Sequence, residues 1–259
     1  MERILRRDTL IVGLSLAVMI LMAWWWLVQS AVFDGGMPSG GDTMAAMHGG
    51  GQMWTSAYLV PAFAMWALMM IAMMLPSAAP MILLYARFSR QMEHGTANTV
   101  SFVLSYLTIW GLFSALAAVS QAVLVSIAAA SAGTLKLVDA RLAGLLFLLV
   151  GAYQLSPLKT ACLDQCRSPL AFLMQGWRPG WKGAARLGVR HGLYCLGCCW
   201  ALMLLLFAAG VMNLAWIAVL TFIVISEKLA PPNIRVRQIV AVLLLGVGLI
   251  ALGSGLAVS

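Results

Sequence analysis

Three cysteines stand together at Cys195-Leu-Gly-Cys198-Cys199, at the start of a run from 192 to 226 that has no Asp, Glu, Lys, Arg or His. At about 100° per residue, a helix places these three thiols on one face, with His191 one turn before them and Met203 one turn after. Thiolate, thioether and imidazole groups suit soft metals such as copper. Cysteine also tolerates burial as a small hydrophobe. The motif therefore predicts a soft-metal site, with simple packing as the alternative.

The composition sets the class of protein that carries this motif. Hydrophobic residues make up 63% of the 259 residues and charged residues only 9%, whereas about 25% is usual in soluble domains. An apolar run of about 20 residues can cross a lipid bilayer. Seven such runs lie near 10–28, 58–84, 99–125, 141–158, 193–212, 214–230 and 237–257. The sequence predicts an all-α polytopic transmembrane helix bundle, one integral membrane domain over residues 1–259.

The number of helices and their orientation follow from the turns and charges. Only Asn213 marks a turn between the fifth and sixth runs, so six helices are the alternative to seven. Cytoplasmic loops carry an excess of Lys and Arg. With seven helices and a cytoplasmic N-terminus, Lys136 and Arg141 alone among the basic residues fall outside. This topology accounts for the net charge of +8 without a nucleic-acid partner, and it fits a bacterial inner membrane best.

The first apolar run has two interpretations. Arg3, Arg6 and Arg7 precede it, as in a signal peptide. The run from Leu10 to Val28 is longer than the ~7–15 residues of a typical signal-peptide core, and Trp residues stand at its far end. We expect a retained helix, and cleavage would leave the later topology unchanged.

The predicted external loop at 31–57 is rich in glycine and contains soft donors: Met37, Met44, Met47, His48 and Met53. Such a segment cannot build a core and is typical of a flexible linker. Thioether and imidazole groups also suit copper, so a collecting arm for a soft cation is the alternative.

The second apolar run carries methionines at helical spacing. Met65, Met69 and Met73 form one stripe, and Met70, Met74 and Met81 form a second about 100° away. Methionine is an adaptable filler of apolar cores, so packing and a metal path both fit. We expect the first stripe to face the protein interior toward the fifth helix. Pro76 and Pro80 interrupt helical hydrogen bonding, and they predict a distorted, water-accessible inner end.

The two remaining cysteines are Cys162 and Cys166, at the cytoplasmic end of the fourth predicted helix. The fifth helix begins on the same side, so all five cysteines lie toward the cytoplasm, where disulfides rarely persist. Metal binding or thiol redox chemistry is therefore favoured. We predict that Cys195, Cys199 and at least one of Cys162 and Cys166 form one site.

Charged residues flank this region on the cytoplasmic side. The segment 159–191 mixes Trp177 and Trp181 with Arg178, Lys182, Arg186 and Arg190, which is typical of an element at an anionic membrane surface. Glu227 stands at the predicted end of the sixth helix beside Lys228. Acids inside membranes are usually functional, but at this depth an ion pair between the two at the boundary is the expectation.

Several separated motifs together resemble one family. They are Met73-Met74-Leu-Pro-Ser-Ala-Ala-Pro-Met81, Tyr153-Gln-Leu-Ser-Pro-Leu-Lys159 followed by Cys162 and Cys166, Cys195-Leu-Gly-Cys-Cys-Trp200, and Glu227-Lys228. The chain resembles, from its second to its sixth helix, a bacterial family of unknown function described as predicted metal-binding integral membrane proteins. The resemblance implies metal binding by Met69, Met73, Cys162, Cys166, Cys195, Cys198 and Cys199.

Three functions remain open at this point. The first is a non-enzymatic protein that binds or moves a soft metal, with Cu(I) favoured because thiolates and thioethers select it, and zinc second. Its partner would be a metallochaperone or a metalloenzyme. The second is a membrane thiol-disulfide oxidoreductase, since Cys195 and Cys198 form a Cys-x-x-Cys pair. The third is an assembly factor for a membrane complex. The sequence contains no Walker-type phosphate loop, no His-Glu-x-x-His and no Gly-x-Ser-x-Gly; oligomeric state is open.

Overall fold

The computed structural model of the chain is all-helical and describes residues 2–33, 54–90, 94–127, 137, 139–230 and 235–257. The part of the predicted external loop 31–57 that contains Met37, Met44, Met47, His48 and Met53 lies outside the described residues, whereas 31–33 and 56–57 are helical. The helices are α1 Glu2–Phe33, α2 Ser56–Ser89, α3 Gly95–Ser126, α4 Ala140–Gln154, α5 Pro157–Arg167, α6 Pro169–Gly176, α7 Gly180–Leu204, α8 Leu206–Ala209, α9 Leu214–Leu229 and α10 Val236–Ala257. The all-α prediction is confirmed for these residues.

Among the described residues, five helical segments are long and apolar enough to cross a membrane. They lie in α1, α2, α3, α7 with α8, and α10. The bent pair of α4 and α5 makes a sixth if it counts as one span. Helix α9 has 16 residues, fewer than the ~20 that a perpendicular span needs. The long helices are compatible with membrane insertion.

Two breaks in the helices have clear sequence causes. The predicted run 141–158 does not continue through its last residues, because Pro157 starts a new helix and Ser156 caps it by accepting from the Lys159 amide at 3.1 Å. The chain bends by 62° between α4 and α5. The turn predicted at Asn213 is confirmed, since its side chain caps α9 by accepting from the Trp216 amide at 3.1 Å.

Helix α2 passes through the centre of the fold without a break. Pro61, Pro76 and Pro80 all lie inside it, so the distortion predicted at its inner end does not interrupt the helix. Pro76 has no N–H for the carbonyl of Ala72, one turn earlier. The indole of Trp24 in α1 donates to that carbonyl at 3.1 Å. A neighbouring helix thus satisfies the carbonyl that the proline leaves open, as an apolar surrounding requires.

Two pairs of helices pack closely along their length. Helix α3 packs along α7, and α4 packs along α10. A Cβ at Gly192 of α7 would lie 2.9 Å from Ile109 of α3, so only glycine permits this approach. Small residues at helix contacts are the usual means of close packing between membrane helices.

A buried polar cluster ties α4, α5 and α9 together. The Lys159 ammonium lies 2.6 Å from a carboxylate oxygen of Glu227, and both side chains are almost completely buried. Gln154 donates to the other carboxylate oxygen at 2.8 Å and accepts from Lys159. The expected boundary pair of Glu227 with Lys228 is therefore wrong. The α4–α5 bend turns Lys159 inward, so Glu227 pairs with a residue 68 positions away.

We expect Glu227→Gln to destabilise the fold, because it leaves the Lys159 ammonium buried without its counter-charge. Removing one partner of a buried pair costs about 3 kcal/mol or more of unfolding free energy. Denaturant unfolding in detergent micelles measures the change. The exposed Asp164 on α5 provides the control Asp164→Asn, for which we expect less than about 0.5 kcal/mol. The double variant Lys159→Met/Glu227→Gln should regain much of the loss, and equal stability of Glu227→Gln and the control would contradict the role of this pair.

Candidate metal centre

The thiol face of α7 points into the protein. Cys195, Cys198 and Cys199 are each at most 2% exposed, and His191 and Met203 on the same face are equally enclosed. The helical spacing of these residues produces this result, because the opposite face of α7 carries exposed Leu193 and Trp200. Three thiols, an imidazole and a thioether therefore share one buried face.

Each of these thiols has a distinct set of neighbours. The sulfur of Cys195 lies 3.3 Å from the Tyr106 hydroxyl. The thiols of Cys198 and Cys199 donate to the Cys195 carbonyl at 3.1 and 2.7 Å. The sulfur of Cys199 also lies 3.6 Å from the thioether of Met74 in α2. The thiol face is thus in contact with both α2 and α3.

The cysteines of α5 reach the same region. Cys166 lines a cavity with His191 and Lys228, and the Lys228 ammonium lies 3.0 Å from the Cys195 sulfur. The Cys166 and Cys198 thiols are near enough to interact electrostatically. Cys162 is half-buried and packs against Gly197, where an added Cβ would lie 2.7 Å from its sulfur. The Tyr153 hydroxyl donates to the Gly197 carbonyl at 2.5 Å and holds α4 against α7. The fold therefore brings Cys166 to the three thiols of α7, and we call these four cysteines the thiol centre.

The thiol centre is not arranged around a preformed metal position. Among the described residues, no three His, Cys, Asp or Glu side chains converge as ligands. The reason lies in the hydrogen bonds, since Cys198 and Cys199 point back to the carbonyl of Cys195. Deprotonation and rotation of these side chains would release them toward a shared ion. The centre holds soft donors close together without a preformed polyhedron.

Sequence reasoning missed the role of Lys228. Its side chain is only 7% exposed, and its ammonium donates to Ser77 at 2.8 Å and to the Cys195 sulfur at 3.0 Å. Among the described residues it forms no ion pair with a carboxylate. The four thiols of the centre all act on it electrostatically. The only sequence signal was a lysine at the end of an apolar run, and the adjacent Glu227 suggested a different partner.

Both methionine stripes of α2 are buried. Met65 is 7% exposed and Met69 and Met73 are inaccessible, so the first stripe faces the interior rather than lipid. Of the second stripe, Met74 makes the direct sulfur contact with the centre. At the level of the thiol centre, the side of α2 that faces α7 carries Met74. For this reason the second stripe, rather than the first, supplies the sulfur contact with the centre.

His191 lies in an aromatic environment. Its ring stacks on Tyr106 and Phe102 at centroid distances of 5.5 and 6.0 Å and meets the edge of Phe172 at 5.6 Å. Neither imidazole nitrogen has a hydrogen-bond partner. Buried polar atoms are normally paired, so both nitrogens are open to a ligand. The imidazole borders a cavity that Cys166 and Lys228 also line.

Comparison with known proteins identifies the family. Neither the curated proteins nor the solved structures include a significant match to the chain. The model of the PpoB2 family, described as a copper chaperone, matches residues 63–251, which include every residue of the thiol centre. This agrees with the metal-related character of the sequence resemblance. Since the match covers well over half of the chain, the protein belongs to this copper-chaperone family.

Proposed function

We propose that the protein is an integral membrane copper-binding protein that holds Cu(I) as cargo at the thiol centre of Cys166, Cys195, Cys198 and Cys199. The position of Cys166 of α5 carries this proposal. Cys166 lines a cavity with Lys228, and Lys228 contacts the Cys195 sulfur of α7, so two separate cysteine segments meet in one place. The family match supports copper as the metal. Thiolate ligands, with the Met74 thioether and the His191 imidazole beside them, favour Cu(I) over metals that prefer oxygen.

The charge of Lys228 fits a two-thiolate Cu(I) complex. A buried uncompensated charge is strongly unfavourable. Cu(I) with two thiolates carries one negative charge, which the adjacent ammonium of Lys228 neutralises. The preference for copper over zinc rests on the family match.

We place the thiol centre at the cytoplasmic end of a seven-span bundle in a bacterial inner membrane. The excess of basic residues on that side supports this orientation. Met65, Met69 and Met73 cover about 12 Å of helix rise at 1.5 Å per residue, and Met74 continues to the Cys199 sulfur. They form the path from the external side to the centre. A metallochaperone or metalloenzyme would exchange copper at the cytoplasmic end.

The proximity of Cys166 to Cys198 also favours a second function, a thiol-disulfide oxidoreductase, because two neighbouring thiols can be oxidised to a disulfide. The two functions differ in what the reduced protein does with copper. An oxidoreductase would cycle between dithiol and disulfide without retaining the metal, whereas a copper carrier retains it under anaerobic, reducing conditions.

We expect the reduced wild-type protein to bind about one Cu(I) per chain, and the double variant Cys195→Ser/Cys198→Ser to bind almost none, because serine replaces a soft ligand by a hard one. Elemental analysis of anaerobically purified protein measures this. Cys162→Ser should retain copper, since Cys162 packs against Gly197. Copper-free wild-type protein with a readily exchanged disulfide would instead support the oxidoreductase.

Replacing Lys228 by Met should weaken Cu(I) binding, whereas replacing an exposed lysine by Met should leave it unchanged. Loss of the neutralising ammonium costs at least about 1.4 kcal/mol, which is a tenfold change in Kd. Competition with a chromogenic Cu(I) chelator measures the affinity. The exposed Lys182 on α7 gives the control Lys182→Met. An unchanged Kd in a folded Lys228→Met variant would exclude this charge-balancing role.

The double variant Met69→Leu/Met73→Leu tests the methionine path separately from the thiol centre. Leucine has nearly the same volume, so stability should fall by less than about 1.5 kcal/mol. We expect normal copper binding by the purified protein but impaired copper accumulation or copper-dependent growth in cells. Met74→Leu should instead lower the Cu(I) affinity of the purified protein. An unchanged cellular phenotype of the double variant would leave these two residues as ordinary core.

A further inference from the structure

A small cavity of about 140 Å³ lies beside the thiol centre, where side chains of α2, α5, α6, α7 and α9 meet. Its wall includes Ser77 from α2, Cys166 and Arg167 from the end of α5, His191 from α7 and Lys228 from α9. Exposed Leu229 also lines it, so the cavity reaches the protein surface. It connects the outside of the bundle to a thiol of the centre.

The cavity contains an unsatisfied polar group. His191 is 3% exposed, and neither of its ring nitrogens has a hydrogen-bond partner. Lys228 uses two of its three N–H donors, on Ser77 and Cys195. Buried donors and acceptors without partners cost free energy. A polar ligand in the cavity would satisfy both side chains.

The charge of the wall determines which ligand fits. Arg167 and Lys228 are both cationic, and the lining includes no Asp or Glu among the described residues. The nearest acid, Glu227, is engaged by Lys159 and Gln154 through its carboxylate. A cleft lined by one sign of charge concentrates ligands of the opposite sign. The cavity therefore favours a small anion.

We propose that this cavity receives Cu(I) as its complex with a small thiol that carries a carboxylate, and that Arg167 and Lys228 bind the carboxylate. The proposal rests on the proposed function of the thiol centre and names the form in which its cargo arrives. Cys166 is the thiol of the centre that lines the cavity, so it is the first protein ligand to meet the metal. The volume admits an organic acid of only a few carbon atoms.

Copper transfer at this place is a ligand exchange without oxidation or reduction. The bond between Cu(I) and the sulfur of the small thiol breaks as the bond to the Cys166 sulfur forms. The proton of the Cys166 thiol passes to the departing thiolate, which leaves as a neutral thiol group. Where the donor complex holds Cu(I) with two small thiolates, the Cys198 thiol then replaces the second one by the same exchange. Cu(I) is then bound by the sulfurs of Cys166 and Cys198 with one net negative charge.

The anion preference is tested first without metal, by alkylation of the reduced protein with iodoacetate and iodoacetamide. These reagents are similar in size and differ in charge. Mass spectrometry gives the rate of each at Cys166 and at Cys162, which does not line the cavity. We expect the iodoacetate-to-iodoacetamide rate ratio at Cys166 to exceed that at Cys162 about tenfold. This is the low end of the rate increase that a cleft lined by one sign of charge produces for an oppositely charged ligand. Arg167→Gln should reduce this ratio, while Arg167→Lys and the exposed control Arg186→Gln should keep it. Equal ratios at the two cysteines would overturn the proposal.

The second test compares two copper donors, Cu(I) mercaptoacetate and Cu(I) mercaptoethanol, which present the same thiolate with and without a carboxylate. We expect faster transfer to the wild-type protein from mercaptoacetate than from mercaptoethanol, and a smaller ratio of these two rates in Arg167→Gln. Equal wild-type rates would overturn the anionic-complex proposal while leaving copper binding intact. Failure to take copper from either donor would instead refute the proposed function, and the alkylation ratio would still report on the cavity.

Discussion

Two buried lysines determine how the buried polar side chains around Glu227 and the thiol centre are paired. Lys159 and Lys228 both lie in the interior, where an ammonium without a counter-charge is strongly unfavourable. Glu227 can compensate the charge of only one lysine, and the bend between α4 and α5 places Lys159 next to it. Lys228 is then left with Ser77 and a sulfur. Because Glu227 pairs with Lys159, the ammonium of Lys228 is available to the thiols.

The same cluster fixes the position of the second cysteine segment. Helix α5 carries Lys159 and Cys166 about two turns apart, so the ion pair that anchors its start also sets where its end lies. The absence of a side chain at Gly197 lets α5 approach α7 closely. Arg167 adds a bond to the Glu227 carbonyl at 2.8 Å. The Lys159–Glu227 ion pair, which holds α5 in place, therefore also positions Cys166 in the thiol centre.

Much of the fold and part of the site could be predicted from the sequence, for physical reasons that differ between residues. Periodicity determines which face a residue occupies, so the inward face of Cys195 and Cys199 and the interior position of Met69 followed from spacing. Asn213 was recognisable because capping depends on local chemistry. The partners of Glu227 and Lys228 were not predictable, since they depend on the angle at which α5 leaves α4. That angle follows from tertiary packing around Pro157, which no local rule supplies.

The hydrogen bonds of the thiol centre suit a protein that must both acquire and release a metal. Cys198 and Cys199 donate to a backbone carbonyl rather than point at a common position. Under the proposed function, metal binding would replace these bonds, which would reduce the net free energy of binding but leave no buried donor unpaired when the metal departs. A rigid, preformed polyhedron would bind more tightly and release more slowly. In the copper carrier that we propose, thiols that can turn from a carbonyl to the metal, beside a lysine that balances the thiolate charge, would favour exchange over permanent retention.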